Sequence, residues 1–343
     1  VIVRPQPDWP AGRVERFRHE STVLRDNPWS DPSARELCVY LPAAYDESAP
    51  PYVALWCFAA FTNAGPGQLN WRSQGENLPQ RLDRLIASGK LPPVVVPMPD
   101  CYTSLGGNQY INSAGVGRYA DYVVEELVPF LSQRVNVIDG RRGRGVFGKS
   151  SGGYGALFHA MHYPDVWGAV ADHAGDVGFE WVYKPEFPRS AQVLAAFAGD
   201  PYRFLQDFWE KKRLASPDYA TIMTLAMAAS YDPGDGPDEL IRLPFDPDTL
   251  EIVPERWERW LQHDPLRLLE RHSEALARLE MLYIDAGNRD QYNIQFGTRA
   301  FCRRLDKLGI EHHFEEFDGT HSGIDWRLDV SLPMIAAALL DDR

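Results

Sequence analysis

At 343 residues the chain is long enough for one large α/β domain with an insertion, or for two domains. Hydrophobic residues make up 44% and charged residues 24%, as in ordinary globular proteins, and the net charge of -13 disfavours nucleic acid and anionic membranes as partners. The four cysteines, Cys38, Cys57, Cys101 and Cys302, form no Cys-x-x-Cys pair, which argues against a zinc knuckle or a dense disulfide framework.

Buried free thiols in a cytoplasmic protein are the expectation. No apolar run is long enough to cross a bilayer, and the opening Val1 to Pro7 lacks the apolar stretch of a signal peptide. Residues 1–35 are rich in Pro, Trp and charge and predict an irregular arm. Candidate strands Arg16 to Leu24 and Arg35 to Leu41 follow, joined by the turn-forming stretch Asp26 to Pro32. Tyr52 to Phe58 is a continuous apolar run suited to a strand buried on both faces.

Leu78, Leu82, Leu85 and Ile86 predict a helix over about Asn77 to Ser88, and Val94 to Met98 a second buried strand. A long polar loop from Asp100 to Ser113 separates it from a helix at about Tyr119 to Leu131. Val146-Phe147 ends a short strand, a helix closes at Tyr163-Pro164, and Trp167 to Ala171 is the next strand. Strand and helix alternate, so a mostly parallel sheet with helices on both faces is expected. From Gly178 to about Asp264 helical segments broken by Pro/Gly turns such as Asp232 to Pro237 predict an insertion or lid without an independent core. The alternation then returns with the strands Met281 to Asp285 and His312 to Phe317. The domain division is therefore 1–177 with 265–343 as the α/β core, and 178–264 as a mostly helical insertion.

One stretch fits two incompatible motifs. Gly148-Lys-Ser-Ser-Gly152 matches the Gly-x-Ser-x-Gly elbow of serine hydrolases, and Gly143 to Ser150 matches the phosphate-binding Gly-x-x-x-x-Gly-Lys-Ser loop. A phosphate loop needs a strand feeding into its first glycine, but Asp139 to Arg142 is a turn, and the apolar Val146-Phe147 would lie inside the loop. An elbow uses both features: the strand ends at Phe147, and glycines two before and two after Ser150 let strand and helix approach closely. A serine hydroxyl is a weak nucleophile and needs a histidine base oriented by a carboxylate. Asp290 and His321 follow in that order, each on a loop after a strand, where an open α/β sheet builds its site. Asp285, at the end of the strand itself, is a rival for the acid, and Asp318 a weaker one.

Here the chain resembles the esterase D branch of the α/β-hydrolases, which includes S-formylglutathione hydrolases and feruloyl esterases. The matching features are Gly148 to Leu157, Tyr122 to Pro129, the turn Gly287 to Asp290 and the turn Gly319 to His321. The resemblance implies an α/β-hydrolase fold with Ser150 as nucleophile, Asp290 as acid and His321 as base. It implies an oxyanion hole made by the Ser151 N–H and an N–H from the loop after an early strand. In that loop Cys57-Phe58 replace the usual His-Gly, leaving Phe58 or Ala59 as donor. It places substrate contacts on the loop holding Asn108, Tyr110 and Asn112. Trp71, Trp181, Tyr183 and Phe187 are candidate apolar walls.

The expectation is a serine carboxylesterase acting on small or aryl esters, with no metal or organic cofactor, no nucleic-acid or membrane partner, and a possible homo-oligomer. An acyltransferase or thioesterase on the same triad is the alternative, and a nucleotide-binding protein a more distant one.

Overall fold

The computed structural model describes residues 8–236 and 239–341. The first seven residues of the expected N-terminal arm, and Pro237 at the end of the expected turn, lie outside the described residues. The strands are β1 (Arg13–Glu20), β2 (Ala34–Leu41), β3 (Ala54–Phe58), β4 (Val96–Pro99), the short pair β5 (Asn112–Ser113) and β6 (Gly117–Arg118), β7 (Arg144–Lys149), β8 (Ala169–His173), β9 (Met281–Gly287) and β10 (His313–Phe317). β10, β9, β8, β7 and β3 form a parallel sheet in that order. β4 lies beside β3 through the bonds Leu55 N to Val95 O and Val95 N to Val53 O, and it pairs antiparallel with β2, which pairs antiparallel with β1. β3 and β8 are buried throughout, as apolar runs shielded on both faces require.

β1 begins and ends earlier than its sequence pattern suggests. After Glu20 the backbone turns, Ser21 N donating to Ser33 O at 3.0 Å and Thr22 N to the Glu126 carboxylate at 2.7 Å. Elsewhere the expected elements lie within a few residues of the observed ones, the helix Leu78–Ala87 among them, capped at Asn77 by a capping box with Gln80.

Two apolar layers cover the sheet. One, with Leu78, Leu82, Leu332 and Ile335, joins the helices Leu78–Ala87 and Leu328–Leu340 to one face. The other joins the elbow helix Ser151–His162 to residues 178–264 in a single cluster, from Leu157 and Trp167 to Phe187, Ile222 and Trp260. The segment 178–264 leaves and rejoins the chain at one point: the Asp264 carboxylate accepts from Gly178 N at 2.9 Å, Phe179 N at 2.8 Å and Leu266 N at 3.0 Å. Its helices Phe187–Leu194, Pro201–Glu210, Ser216–Tyr231 and Pro254–Leu261 extend the core beyond the C-terminal ends of the parallel strands.

Candidate active site

β7 runs straight into the helix Ser151–His162 with one residue, Ser150, between them. Ser150 has φ 57° and ψ -125°, a backbone state that costs a non-glycine residue about 1–3 kcal/mol and persists only where its surroundings impose it. The surroundings are tight. A Cβ on Gly152 would lie 2.1 Å from Phe58 O, and one on Gly148 2.4 Å from the Gly152 backbone. Ser150 N is held by His173 O at 2.9 Å. Because Arg144–Lys149 is a strand paired on both sides, the stretch from Gly143 to Ser150 is no phosphate loop.

The two downstream turns fasten to each other. Asn288 N donates to Phe317 O and Arg289 N to Gly319 O, both at 2.9 Å, and His321 N donates to Gln291 Oε1 at 3.0 Å. This brings His321 Nδ1 2.8 Å from Asp290 Oδ2, where its N–H donates. The Asp290 carboxylate is fully buried and also accepts from Tyr292 N at 2.8 Å. The Tyr292 ring packs edge-on against the imidazole, 4.9 Å between centroids.

Asp285 is engaged elsewhere. It accepts from His173 Nδ1 at 2.9 Å, Tyr283 OH at 2.9 Å and Arg327 Nε at 2.8 Å, while His173 Nε2 meets Ser331 Oγ at 2.8 Å. This second Ser-His-Asp arrangement is almost closed to solvent, as His173 is 2% exposed and Ser331 and Asp285 0%. Asp318 is exposed and pairs with Arg289 at 2.8 Å.

Ser150 and His321 line one cavity of about 480 Å³ together with Lys149, Asp176, Tyr183 and Tyr292. The segment 178–264 supplies half its wall, including Val182, Tyr183, Glu186, Arg189, Tyr219 and Met223. Asp176 was not singled out in the sequence. It is 6% exposed and its Oδ2 accepts from Tyr183 OH at 2.9 Å. Burial raises its pKa to about 6, against smaller opposing effects of Tyr183 and the nearby His321. The only available signal was an acidic residue in a Gly-Asp turn just after a buried strand. Its position is set by close packing beneath the elbow, where Asp172 Oδ1 accepts from Gly175 N at 2.8 Å.

Several expected pocket residues lie elsewhere. Asn108 is buried and its Oδ1 accepts from Tyr110 N at 2.5 Å, closing a local turn away from this cavity. Tyr110, at φ 58°, stacks on Phe58 at 4.2 Å and donates its hydroxyl to Ala59 O at 2.8 Å. Asn112 is exposed and bonds Asp121 at 2.7 Å. Trp71 is 72% exposed, and Trp181, 41% exposed, covers Gly178. Phe187 is buried among Phe245, Trp257 and Trp260. Of the four aromatic wall candidates, Tyr183 alone lines the cavity.

The expected second oxyanion donors, Phe58 and Ala59, lie at the end of β3 and just after it. Phe58 ends β3, with its carbonyl and that of Ala59 turned onto Gly152, and Ala60 is the first residue of the loop on the cavity wall. Ser151 opens the elbow helix, its hydroxyl held by Gln109 Nε2 at 2.9 Å. Two histidines of that helix are structural. His159 is buried against Tyr110 O at 2.8 Å and His162 bonds Phe158 O at 2.9 Å, and desolvation pushes their pKa values down to about 3 and about 4.

The family model described as "Putative esterase" matches residues 32–334. The chain belongs to that family. Comparison with curated protein sequences gave no match. Among solved structures, a ferulic acid esterase has a TM-score of 0.62 at 18% identity, over 96% of this chain and 99% of that one. An S-formylglutathione hydrolase from Agrobacterium tumefaciens has a TM-score of 0.57 at 18% identity, covering 98% of each chain. A CE1 ferulic acid esterase from Anaeromyces mucronatus, in complex with ferulic acid, has a TM-score of 0.55 at 14% identity, over 98% of this chain and 93% of that one. At these identities the likeness is one of fold, that of the α/β-hydrolase esterases. Among the described residues no helix is long and apolar enough to cross a membrane. With the family, the chain is a serine hydrolase of the carboxylic ester class.

Proposed function

We propose that Ser150, His321 and Asp290 form the catalytic triad, and that the esters cleaved are small or aryl ones. The observation that supports this most is the 2.8 Å bond between Asp290 and His321 at the wall of the cavity that holds the strained Ser150. Asp290, accepting from Nδ1, fixes the tautomer that leaves Nε2 as base. His321 takes the Ser150 proton as Oγ bonds to the ester carbonyl carbon, and the N–H groups of Ser151 and Ala60 hold the oxyanion. The tetrahedral intermediate collapses by breaking the bond to the alkoxy oxygen, which leaves with the proton from His321. Water then gives a proton to His321 and attacks the acyl-enzyme. The acid is released and the proton returns to Ser150.

Phe61, Tyr183, Tyr219 and Tyr292 around the cavity favour the aryl-ester half of the reading, in line with the ferulic acid named for two of the fold neighbours. Residues 178–264 act in this reading as a cover over the cavity. Such a cover also supports acyl transfer as a second reading, and an added alcohol acceptor separates the two by its products. The four buried free thiols support a cytoplasmic setting. Hydrolysis of nitrophenyl esters of graded acyl length by the wild type and by Ser150→Ala tests the reading. Turnover is expected from the wild type alone, and equal turnover by the variant would overturn it.

A further inference from the structure

The residue in front of the nucleophile bears a charge that the esterase reading leaves unused. Lys149 is the last residue of β7 and is only partly exposed. Among the described residues its ammonium makes no hydrogen bond and no ion pair. Burial pushes its pKa down, Asp325 and Asp290 counter this from beyond ion-pair distance, and Arg72 adds to it. Both carboxylates are engaged by others, Asp325 by Arg72 and Asp290 by His321. A desolvated ammonium without a direct counter-ion is costly to keep.

Lys149 lines two cavities: the one with Ser150 and a second of about 170 Å³, whose wall also has Ala60, Asn63, Gln68, Arg72 and Asp325. Ala60, like Lys149, borders both, so the second recess opens beside the proposed oxyanion site. In the recess the Arg72 and Asp325 charges cancel in their ion pair, and His173 is taken up by Asp285 and Ser331. One positive charge is left over, in a chain whose net charge is -13. At about 30 Å³ per water the space equals roughly six water molecules, enough for a carboxylate on a short chain.

We propose that this second cavity is a subsite for a carboxylate on the substrate, with Lys149 as its counter-ion, so that the preferred esters are acidic ones. A carboxylate fits better than a phosphate because one ammonium is available and Arg72 is already paired. The proposal rests on the serine esterase reading and adds the substrate class.

Two substrate pairs put the carboxylate on either side of the scissile bond: 4-acetoxybenzoate against 4-methylphenyl acetate, and monomethyl glutarate against methyl pentanoate. In at least one pair the wild type is expected to favour the acidic member in kcat/KM by roughly ten- to a hundredfold, the worth of a hydrogen bond to a charged group. Lys149→Met should collapse that ratio and Lys149→Arg should retain most of it. The wild-type ratios stand as a test even if a variant fails to fold. Preference for the neutral member in both pairs overturns the proposal, as does a ratio that Lys149→Met leaves unchanged. A preference for 4-acetoxyphenyl phosphate over 4-acetoxybenzoate overturns the carboxylate assignment. Hydrolysis of none of these esters, or of nitrophenyl esters, sinks the esterase reading and this proposal with it, whereas hydrolysis of the neutral members alone sinks only the proposal.

Discussion

Two aspartates near the end of β9 each hold a histidine, and replacing each with asparagine should separate chemistry from stability. Asp285 is fully buried and accepts from His173, Tyr283 and Arg327. In Asp285→Asn one oxygen becomes an amide NH2 facing a donor, and Arg327, 2% exposed, keeps Glu315 as its one carboxylate partner among the described residues. Breaking a buried charge pair in this way costs about 3–5 kcal/mol. Asp290→Asn keeps an acceptor for Tyr292 N and loses one hydrogen bond to His321, so its stability cost is about 1–2 kcal/mol. Its catalytic cost is large, because an amide can hold the imidazole in the wrong tautomer. Losses of roughly 10³–10⁴ in kcat are the scale for that change. Urea unfolding followed by tryptophan fluorescence gives the stabilities, and nitrophenyl acetate turnover well below the unfolding midpoint gives kcat. Asp285→Asn should be the unstable, active variant, and Asp290→Asn the stable, inactive one. The reasoning fails if Asp285→Asn loses turnover without losing stability while Asp290→Asn remains active.

Other expectations concern the cavity and the elbow. The folded-state pKa of Asp176, about 6, lies above the ordinary 3.8, so the native state binds its proton more tightly and this group's contribution to stability falls as pH rises from about 4 to about 6. The stability difference between Asp176→Asn and the wild type should therefore shift in the variant's favour across that window, and a flat difference would contradict the burial argument. Gly152→Ala places a methyl group 2.1 Å from Phe58 O, and a thermal melt should show a loss of more than about 3 kcal/mol or no folded protein. Trp71→Ala should keep kcat/KM within about twofold for small esters, since Trp71 is 72% exposed and off the cavity; a large loss would return it to the pocket.

The local parts of the site were legible in the sequence. Strand, elbow and helix are contiguous, so Val146-Phe147 and the flanking glycines were enough to rank an elbow above a phosphate loop. His321 stood out because it follows the last strand among turn residues. The acid was harder: Asp285 and Asp290 both belong to the end of β9, and only the fastening of one turn to the other shows which meets His321. The second oxyanion donor stayed open in the sequence, because a run of Cys57, Phe58, Ala59 and Ala60 does not show that the first three are buried while Ala60 borders the cavity. The polar residues of 108–112 resembled a binding loop, but Asn108 closes a local turn, Asn112 pairs with Asp121, and Tyr110 packs on Phe58. Half of the cavity wall comes from residues 178–264, whose docking is set by contacts distant in sequence, such as Asp264 with Gly178.

The central claim is that Ser150 is the nucleophile. Treating the intact protein with a fluorophosphonate and mapping the adduct by peptide mass spectrometry tests it directly. A single stoichiometric adduct on the peptide containing Ser150, absent from Ser150→Ala and slowed in His321→Ala, is the predicted result. An unlabelled Ser150, or an adduct on another serine with turnover lost in step, would contradict it.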